Sequence, residues 1–121
     1  MAIIKKTTLL LFFFLSQISY SQTENDYTEV ITNLRKSYNL KDSKKIFESF
    51  SSDLKTTFTL DKVKHFIEDY HKSAGIMGSS SFLIDDNDAK RFLTEFDHNS
   101  LLLIIGISPN KKITKLILDD Y

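Results

Sequence analysis

The chain has 121 residues, with 16 basic and 16 acidic side chains and no cysteine. An even balance without a basic block excludes the electrostatic footprint of a nucleic-acid-binding domain, so no nucleic-acid partner is expected. The absence of cysteine excludes disulfides, thiolate catalysis, cysteine-ligated zinc and the lipobox cysteine of a lipoprotein.

Residues 1–21 have the layout of a secretory signal peptide that is cut before Gln22. The apolar run is too short to span a bilayer, which needs roughly 20 residues. We therefore predict a secreted or periplasmic protein that makes no membrane contact after cleavage and folds as a single domain over 22–121. The basic start, the apolar run and the small residues before the cut are Lys5 and Lys6, Thr7–Leu15, Ser19 and Ser21.

The first predicted helix begins after a cap at Thr23 and ends at Asn39. Thr23 and Asp26 have the spacing of a capping box, with Asp in place of the usual Glu. Apolar residues then recur at i, i+3, i+4, i+7 and i+11, which indicates one stripe of an amphipathic helix. The residues of this stripe are Tyr27, Val30, Ile31, Leu34 and Tyr38.

Two more helices are predicted before residue 76. Asp42 is a cap for a short helix, and Thr59 is a cap for a longer one over 60–74. Gly75 ends the longer helix, because glycine adopts the left-handed conformation at little cost. Between these helices, Lys55–Phe58 has β-favouring residues and predicts a brief strand.

After Gly75 the pattern changes from helical spacing to apolar runs separated by short polar turns, which predicts an antiparallel meander. In one of its strands Phe92, Thr94 and Phe96 face the same way. Helices followed by strands indicate an α+β domain, with three N-terminal helices packed on a curved antiparallel sheet of three to four strands. The predicted strands are Ile76–Ile84, Ala89–Phe96, Leu101–Ile105 and Ile113–Leu118, and the turns are Asp85–Asp88, Asp97–Asn99 and Ser108–Asn110.

Four segments carry a family resemblance: Leu34–Tyr38, Lys44–Phe50, Phe58–Lys62 with the helix that ends at Gly75, and Ser108–Ile113 with the apolar strand after it. Over 25–121 the chain resembles small secreted domains of the nuclear-transport-factor-2-like class, which have a cystatin-like, cone-shaped α+β fold. Such domains commonly sit between a signal peptide and a class A β-lactamase-like serine hydrolase. The resemblance implies a non-catalytic accessory or interaction domain whose sheet binds a partner protein, a partner domain or a second copy.

The resemblance also implies a pocket between helices and sheet, and Tyr27, Tyr38, Tyr70, Phe92 and Phe96 are its candidate lining residues. The same aromatic residues fit plain core packing. No Asp, Glu or His is expected in an inward position, so we predict no catalytic residue, no cofactor and no metal site.

Several local patterns resemble catalytic or metal-binding motifs without completing them. Ser52–Lys55 and Ser108–Lys111 match Ser-x-x-Lys, but the Ser-Asp-Asn and Lys-Thr-Gly motifs of the hydrolase are absent from the sequence. His65 and Asp69 lie four residues apart on a predicted helix, which favours a surface pair over a base dyad. Asp85–Asp88 lacks the glycine and glutamate of a calcium loop and predicts a turn.

Two alternative functions remain from the sequence. The chain could be a small-ligand-binding cone or a minor enzyme, which predicts a sizeable cavity with an inward ionisable residue. It could also be the N-terminal fragment of a β-lactamase-like serine hydrolase. The DNA that follows the Tyr121 codon would discriminate the second alternative.

Overall fold

A computed structural model describes residues 23–121, so the predicted signal peptide lies outside the described residues. Helices come first and strands follow, which confirms the α+β class and the predicted order of elements. The helices are α1 (Glu24–Asn39), α2 (Ser43–Glu48), α3 (Ser52–Thr57) and α4 (Leu60–Ser73). The strands are β1 (Met77–Asp86), β2 (Ala89–Phe96), β3 (Ser100–Ile107) and β4 (Ile113–Asp120).

The predicted helix caps are confirmed. The Thr23 hydroxyl accepts from the Asp26 amide at 3.2 Å, and the Asp26 carboxylate accepts from the Thr23 amide at 3.2 Å, which completes a capping box. In the same way, the Asp42 side chain caps α2 by accepting from the Lys45 amide, and the Thr59 side chain caps α4 by accepting from the Lys62 amide. Gly75 has a φ of +89°, as expected for the residue that ends α4.

The strand predicted at Lys55–Phe58 is wrong, because Lys55 to Thr57 lie in the helix α3. This helix was not predicted, and it brings the number of helices in residues 23–121 to four. The Ser51 hydroxyl caps this helix by accepting from the Leu54 amide at 3.2 Å. The Thr56 hydroxyl donates to a carbonyl three residues earlier within the helix, at 2.6 Å. Local side-chain bonds therefore outweigh the β propensity of this segment.

The sheet is antiparallel throughout, with the strand order β1-β2-β3-β4. The first turn is shorter than predicted, since Asp86 pairs with Ala89 and leaves only Asn87 and Asp88 between the strands. Asn87 has a φ of +56°, a conformation that asparagine tolerates better than most residues. Short turns of this kind keep consecutive strands adjacent.

The four helices and one face of the sheet, which we call the inner face, enclose a single hydrophobic core. Phe92, Thr94 and Phe96 are all buried, as their predicted common direction requires. A chain of contacting aromatic rings runs along the helical side, with centroids 5.0–6.2 Å apart. Its members are Phe47, Phe50, Phe58, Phe66 and Tyr70.

The two edges of the sheet differ in how far they are covered. At β4, the Ile113 backbone exchanges hydrogen bonds with Ser49 and Ser51, and the Tyr70 hydroxyl donates to the Leu118 carbonyl at 2.9 Å. At β1, the side chain of Asn39 bonds the Met77 backbone at 2.9 and 3.0 Å. Beyond Gly78, the outer edge of β1 is open within residues 23–121.

Candidate functional site

The five aromatic pocket candidates do not line one pocket. Tyr27 and Phe92 contact each other, with ring centroids 6.1 Å apart. Tyr38 packs edge-on against Phe96 at 5.8 Å, and Tyr70 belongs to the aromatic chain on the helical side. Tyr27, Tyr38, Phe92 and Phe96 are all at most 9% exposed, so their main role is core packing.

The Tyr27 end of the core opens into a small cavity of about 180 Å³. The Lys90 ammonium lies 5.3 Å from the centre of the Tyr27 ring and 5.1 Å from that of Phe82. Lys90 also forms an ion pair with Asp85. The protein's own lysine therefore occupies the aromatic faces that a cationic ligand would need.

Tyr38 and His71 form the one stacked aromatic pair among the described residues, with centroids 4.3 Å apart. His71 Nε2 donates to the Tyr38 carbonyl oxygen at 2.7 Å, and the Tyr38 hydroxyl donates to the Gly75 carbonyl at 2.8 Å. Burial, followed by repulsion from Asp97 and Tyr70, raises the pKa of Tyr38 to about 12. The phenol therefore stays neutral and acts as a hydrogen-bond donor.

His71 is a residue that our sequence reasoning missed, because we expected no histidine in an inward position. It is half-buried, and it continues the buried face of α4 at i, i+4 and i+8 from Val63 and Ile67. This spacing is the signal that would have found it. Its only hydrogen bond among the described residues is to a backbone carbonyl, which gives it a structural contact rather than a catalytic partner.

A shallow groove of about 500 Å³ lies beside Tyr70, between α3 and α4. His65 and Asp69 stand exposed on its rim, and no hydrogen bond joins them among the described side chains. The Tyr70 hydroxyl is already engaged with the Leu118 carbonyl, and burial raises its pKa. The groove thus holds no assembled acid–base pair.

In both Ser-x-x-Lys matches, the lysine contacts a group other than the serine hydroxyl that it would need to activate. The Lys55 ammonium lies 5.4 Å from the centre of the Phe47 ring. The Lys111 ammonium binds Glu29 at 2.7 Å, and the Ser108 hydroxyl donates to the side chain of Asn110. Each lysine is therefore held by a partner other than its serine.

Two carboxylates of the acidic turn are bound by cations of the next strand. Asp85 pairs with Lys90, and Asp86 accepts from Arg91 Nε at 2.8 Å. Within residues 23–121, no group of three or more His, Cys, Asp or Glu side chains has the arrangement that a metal ion needs. These ion pairs stabilise the β1–β2 hairpin.

The sheet face turned away from the helices, which we call the outer face, exposes apolar side chains. Ile84 is 59% exposed and Ile117 is 41% exposed, whereas Ile104 between the strands is only 7% exposed. These side chains do not belong to the core cluster that the helices share. The apolar residues of the outer face are Ile84, Leu93, Leu102, Ile104 and Ile117.

Charged residues lie on the outer face before and after the apolar residues of β2 and β4. On β2 the outer face reads Arg91, Leu93 and Glu95, and on β4 it reads Lys115, Ile117 and Asp119. The two strands run in the same direction, because each is antiparallel to β3. Along each of these strands a basic residue therefore precedes an apolar one and an acidic one. The two runs are offset by two residues, because Arg91 pairs with Ile104 and Ile104 pairs with Ile117.

Comparisons of this chain with protein-family models, with curated proteins and with solved structures find no match. None of the helices in residues 23–121 combines the length and the apolar character that crossing a membrane requires.

Proposed function

We propose that this chain is a secreted, non-catalytic interaction domain that binds its partner through the outer face. The carrying observation is the apolar centre of this face, where Ile84 and Ile117 are 59% and 41% exposed. On the edge strand, Leu83 next to Ile84 is 43% exposed. Contiguous exposed apolar surface of this kind marks protein–protein contacts in soluble domains.

The proposed fold family is the nuclear-transport-factor-2-like class. Helices on one side of a four-stranded antiparallel sheet are compatible with its cone. The resemblance to domains that precede β-lactamase-like serine hydrolases supports an accessory role, and the basic and apolar segments of residues 1–21 support export.

The charge order of the outer face favours a second copy as the partner. A two-fold axis in the plane of contact and perpendicular to the strands sets each strand antiparallel to its own copy. When this axis passes through Ile117, Lys115 faces Asp119 of the other copy and Ile117 faces Ile117. Arg91 then faces its own copy, with its charge balanced by Asp86. An axis along β4 would instead set Lys115 against Lys115 and Asp119 against Asp119, which electrostatics disfavours.

The size of the outer face fits a weak to moderate dimer. Four strands spaced about 4.8 Å apart, with about eight residues at ~3.4 Å each, make a face of roughly 500 Å². Two such faces in contact cover roughly 1,000 Å², the lower end for specific interfaces. We therefore expect an association that depends on protein concentration.

Sedimentation velocity of the purified protein over a wide concentration range tests this proposal. We expect dimers, and we expect Ile117→Lys to weaken dimerisation more than about tenfold, because it places two buried charges in one contact. Leu40→Lys is the matched control, since Leu40 is an exposed apolar residue (70%) away from the sheet. It should leave the dimer unchanged.

A charge swap tests the antiparallel arrangement separately. Lys115→Glu and Asp119→Lys should each weaken the dimer several-fold, and the double variant should restore it. A protein that stays monomeric, or a dimer insensitive to Ile117→Lys, contradicts the proposal. Turnover by the purified protein that is lost on changing a pocket residue would contradict its non-catalytic part.

A further inference from the structure

A cavity of about 310 Å³ lies on the side of the molecule away from the outer face, between α1, α2 and the β3–β4 turn. Its floor is apolar, and its walls carry hydroxyl, amide and ammonium groups. Apolar pockets with a few convergent polar groups are the usual form of small-molecule sites. The lining residues are Val30, Asn33, Leu34, Ser37, Lys45, Ser49 and Lys111.

Ser37 is a polar residue buried in this wall without a hydrogen-bond partner among the described residues. It is only 6% exposed, although serine in a helix usually points to solvent or bonds its own backbone. In residues 23–121, every side-chain oxygen that is sealed from solvent has a hydrogen-bond partner. The Ser37 hydroxyl has none, so it is not sealed and it opens into the cavity that Ser37 lines. A buried hydroxyl of this kind is stabilised by a polar ligand or water.

The two lysines of the cavity have different electrostatic surroundings. Lys111 lies 2.7 Å from Glu29 and 3.8 Å from Asp26, so acids of α1 balance its charge. Its backbone has a φ of +63° in the β3–β4 turn. Lys45 has no ion pair among the described residues, so its ammonium is the one of the two that is free to meet a ligand.

We propose that this cavity binds a small organic carboxylate. The carboxylate lies beside Lys45 and accepts hydrogen bonds from the Ser37 hydroxyl and the Asn33 amide. The organic part packs against Val30 and Leu34. At about 30 Å³ for each water-sized group, the cavity holds a ligand of about ten such groups.

A carboxylate fits this cavity better than phosphate does. Phosphate sites usually combine several cations, arginine forks or rows of backbone amides. Here only Lys45 is without an ion pair among the described residues, and the Ser49 hydroxyl already donates to the Ile46 carbonyl at 2.5 Å. One charge, one free hydroxyl and an apolar floor match a singly charged amphiphilic ligand.

NMR titration of the purified, ¹⁵N-labelled protein with benzoate tests this proposal, with benzyl alcohol and inorganic phosphate as comparison probes. We expect saturable shifts at the amides of Ser37, Lys45 and Lys111. Benzyl alcohol should bind about tenfold more weakly, because it lacks the charge. Phosphate should bind more weakly than benzoate.

Variants locate the binding site. Lys45→Gln and Ser37→Ala should each weaken benzoate binding about tenfold, whereas the exposed neighbour Lys44→Gln, which does not line the cavity, should not change it. An unaltered spectrum outside the cavity shows that a variant is folded. Shifts that do not saturate, equal binding by Lys45→Gln, or tighter binding of phosphate would overturn the proposal.

This site is independent of the proposed interaction domain. Ile117→Lys changes the outer face alone, so this variant should bind benzoate as the unaltered protein does. A monomeric protein that binds benzoate contradicts only the dimer, and a dimer that ignores benzoate contradicts only the carboxylate site.

Discussion

Tyr38 joins the end of α1 to the start of the sheet. Its hydroxyl donates to the Gly75 carbonyl, and its ring contacts both Phe96 and His71. Burial is the main reason why its pKa is raised to about 12, because a phenolate loses its hydration in the core. One side chain thus combines a hydrogen bond, aromatic packing and a strong preference for the neutral state.

Alkaline unfolding should depend on Tyr38. A phenol with a raised folded-state pKa stabilises the fold below its unfolded value near 10, and this stabilisation is lost as pH rises toward about 12. The free energy of unfolding should fall by up to about 1.4 kcal/mol per pH unit in that window. Urea unfolding at several pH values measures this slope.

Tyr38→Phe should reduce that slope while retaining part of it, since burial also raises the pKa of Tyr27 and Tyr70. At neutral pH the variant should lose about 1–3 kcal/mol, because the Gly75 carbonyl is left unpaired. Tyr121→Phe is the control, with a side chain that is 78% exposed. Equal slopes in Tyr38→Phe and the unaltered protein would show that Tyr38 does not carry the effect.

Among the elements, α4 and β1 are joined by a tight connection at Gly75. Its φ of +89° suits glycine, and an added Cβ would lie 2.7 Å from Asp97 Oδ2. That carboxylate oxygen accepts from the Ile76 amide at 2.9 Å. Backbone conformation and close approach therefore both require glycine here.

Gly75→Ala should destabilise the fold by roughly 1–3 kcal/mol, because it adds left-handed strain and displaces Asp97. Thermal unfolding measures the loss. Gly78→Ala is the matched control: its Cβ would meet only the Glu95 carbonyl, at 3.1 Å, so its loss should be smaller. Equal losses of stability in the two variants would contradict the requirement for glycine at the left-handed position 75.

At this scale the sequence predicts elements well where caps and periodicity agree. Both signals are present in α1 and α4, and both helices form near the expected residues. They conflict at Lys55–Phe58, where threonines favour a strand but Ser51 supplies a helix cap. The cap prevails because the helix also places Leu54 and Phe58 against the core.

The candidate sites were less predictable, because they depend on pairing between distant strands. The run Leu101–Ile105 reads as apolar on both faces, and only its register with β2 and β4 shows which residues form the outer face. The cavity beside Ser37 needs the β3–β4 turn to bring Lys111 against α1. Neither arrangement is encoded in local spacing.

At the scale of the whole molecule, all eight elements lie between Glu24 and Asp120. Their buried residues form one cluster that both helices and strands share. The capping box at Thr23 begins this unit, directly after the predicted cut before Gln22. We therefore infer that residues 23–121 form one cooperative folding unit.

Protein that begins at Gln22 should unfold in one transition in urea, with coincident curves from circular dichroism and tyrosine fluorescence. The single shared core is the physical reason, since loss of either layer exposes the other. We expect N-terminal sequencing of the protein after signal-peptide cleavage to find Gln22 as the first residue. Two separate transitions, or no folded state without residues 1–21, would contradict this expectation.

The unequal edges of the sheet limit how far copies of this chain can add to one another. A fibre that grows by strand addition needs two free edges on every molecule, one to receive and one to offer. In residues 23–121, serines and a tyrosine hold the ends of β4, and only β1 has a long open stretch. Joining two copies through β1 would use that edge on both, so strand addition at the Phe82–Ile84 run would stop at a closed pair and would not continue into a filament.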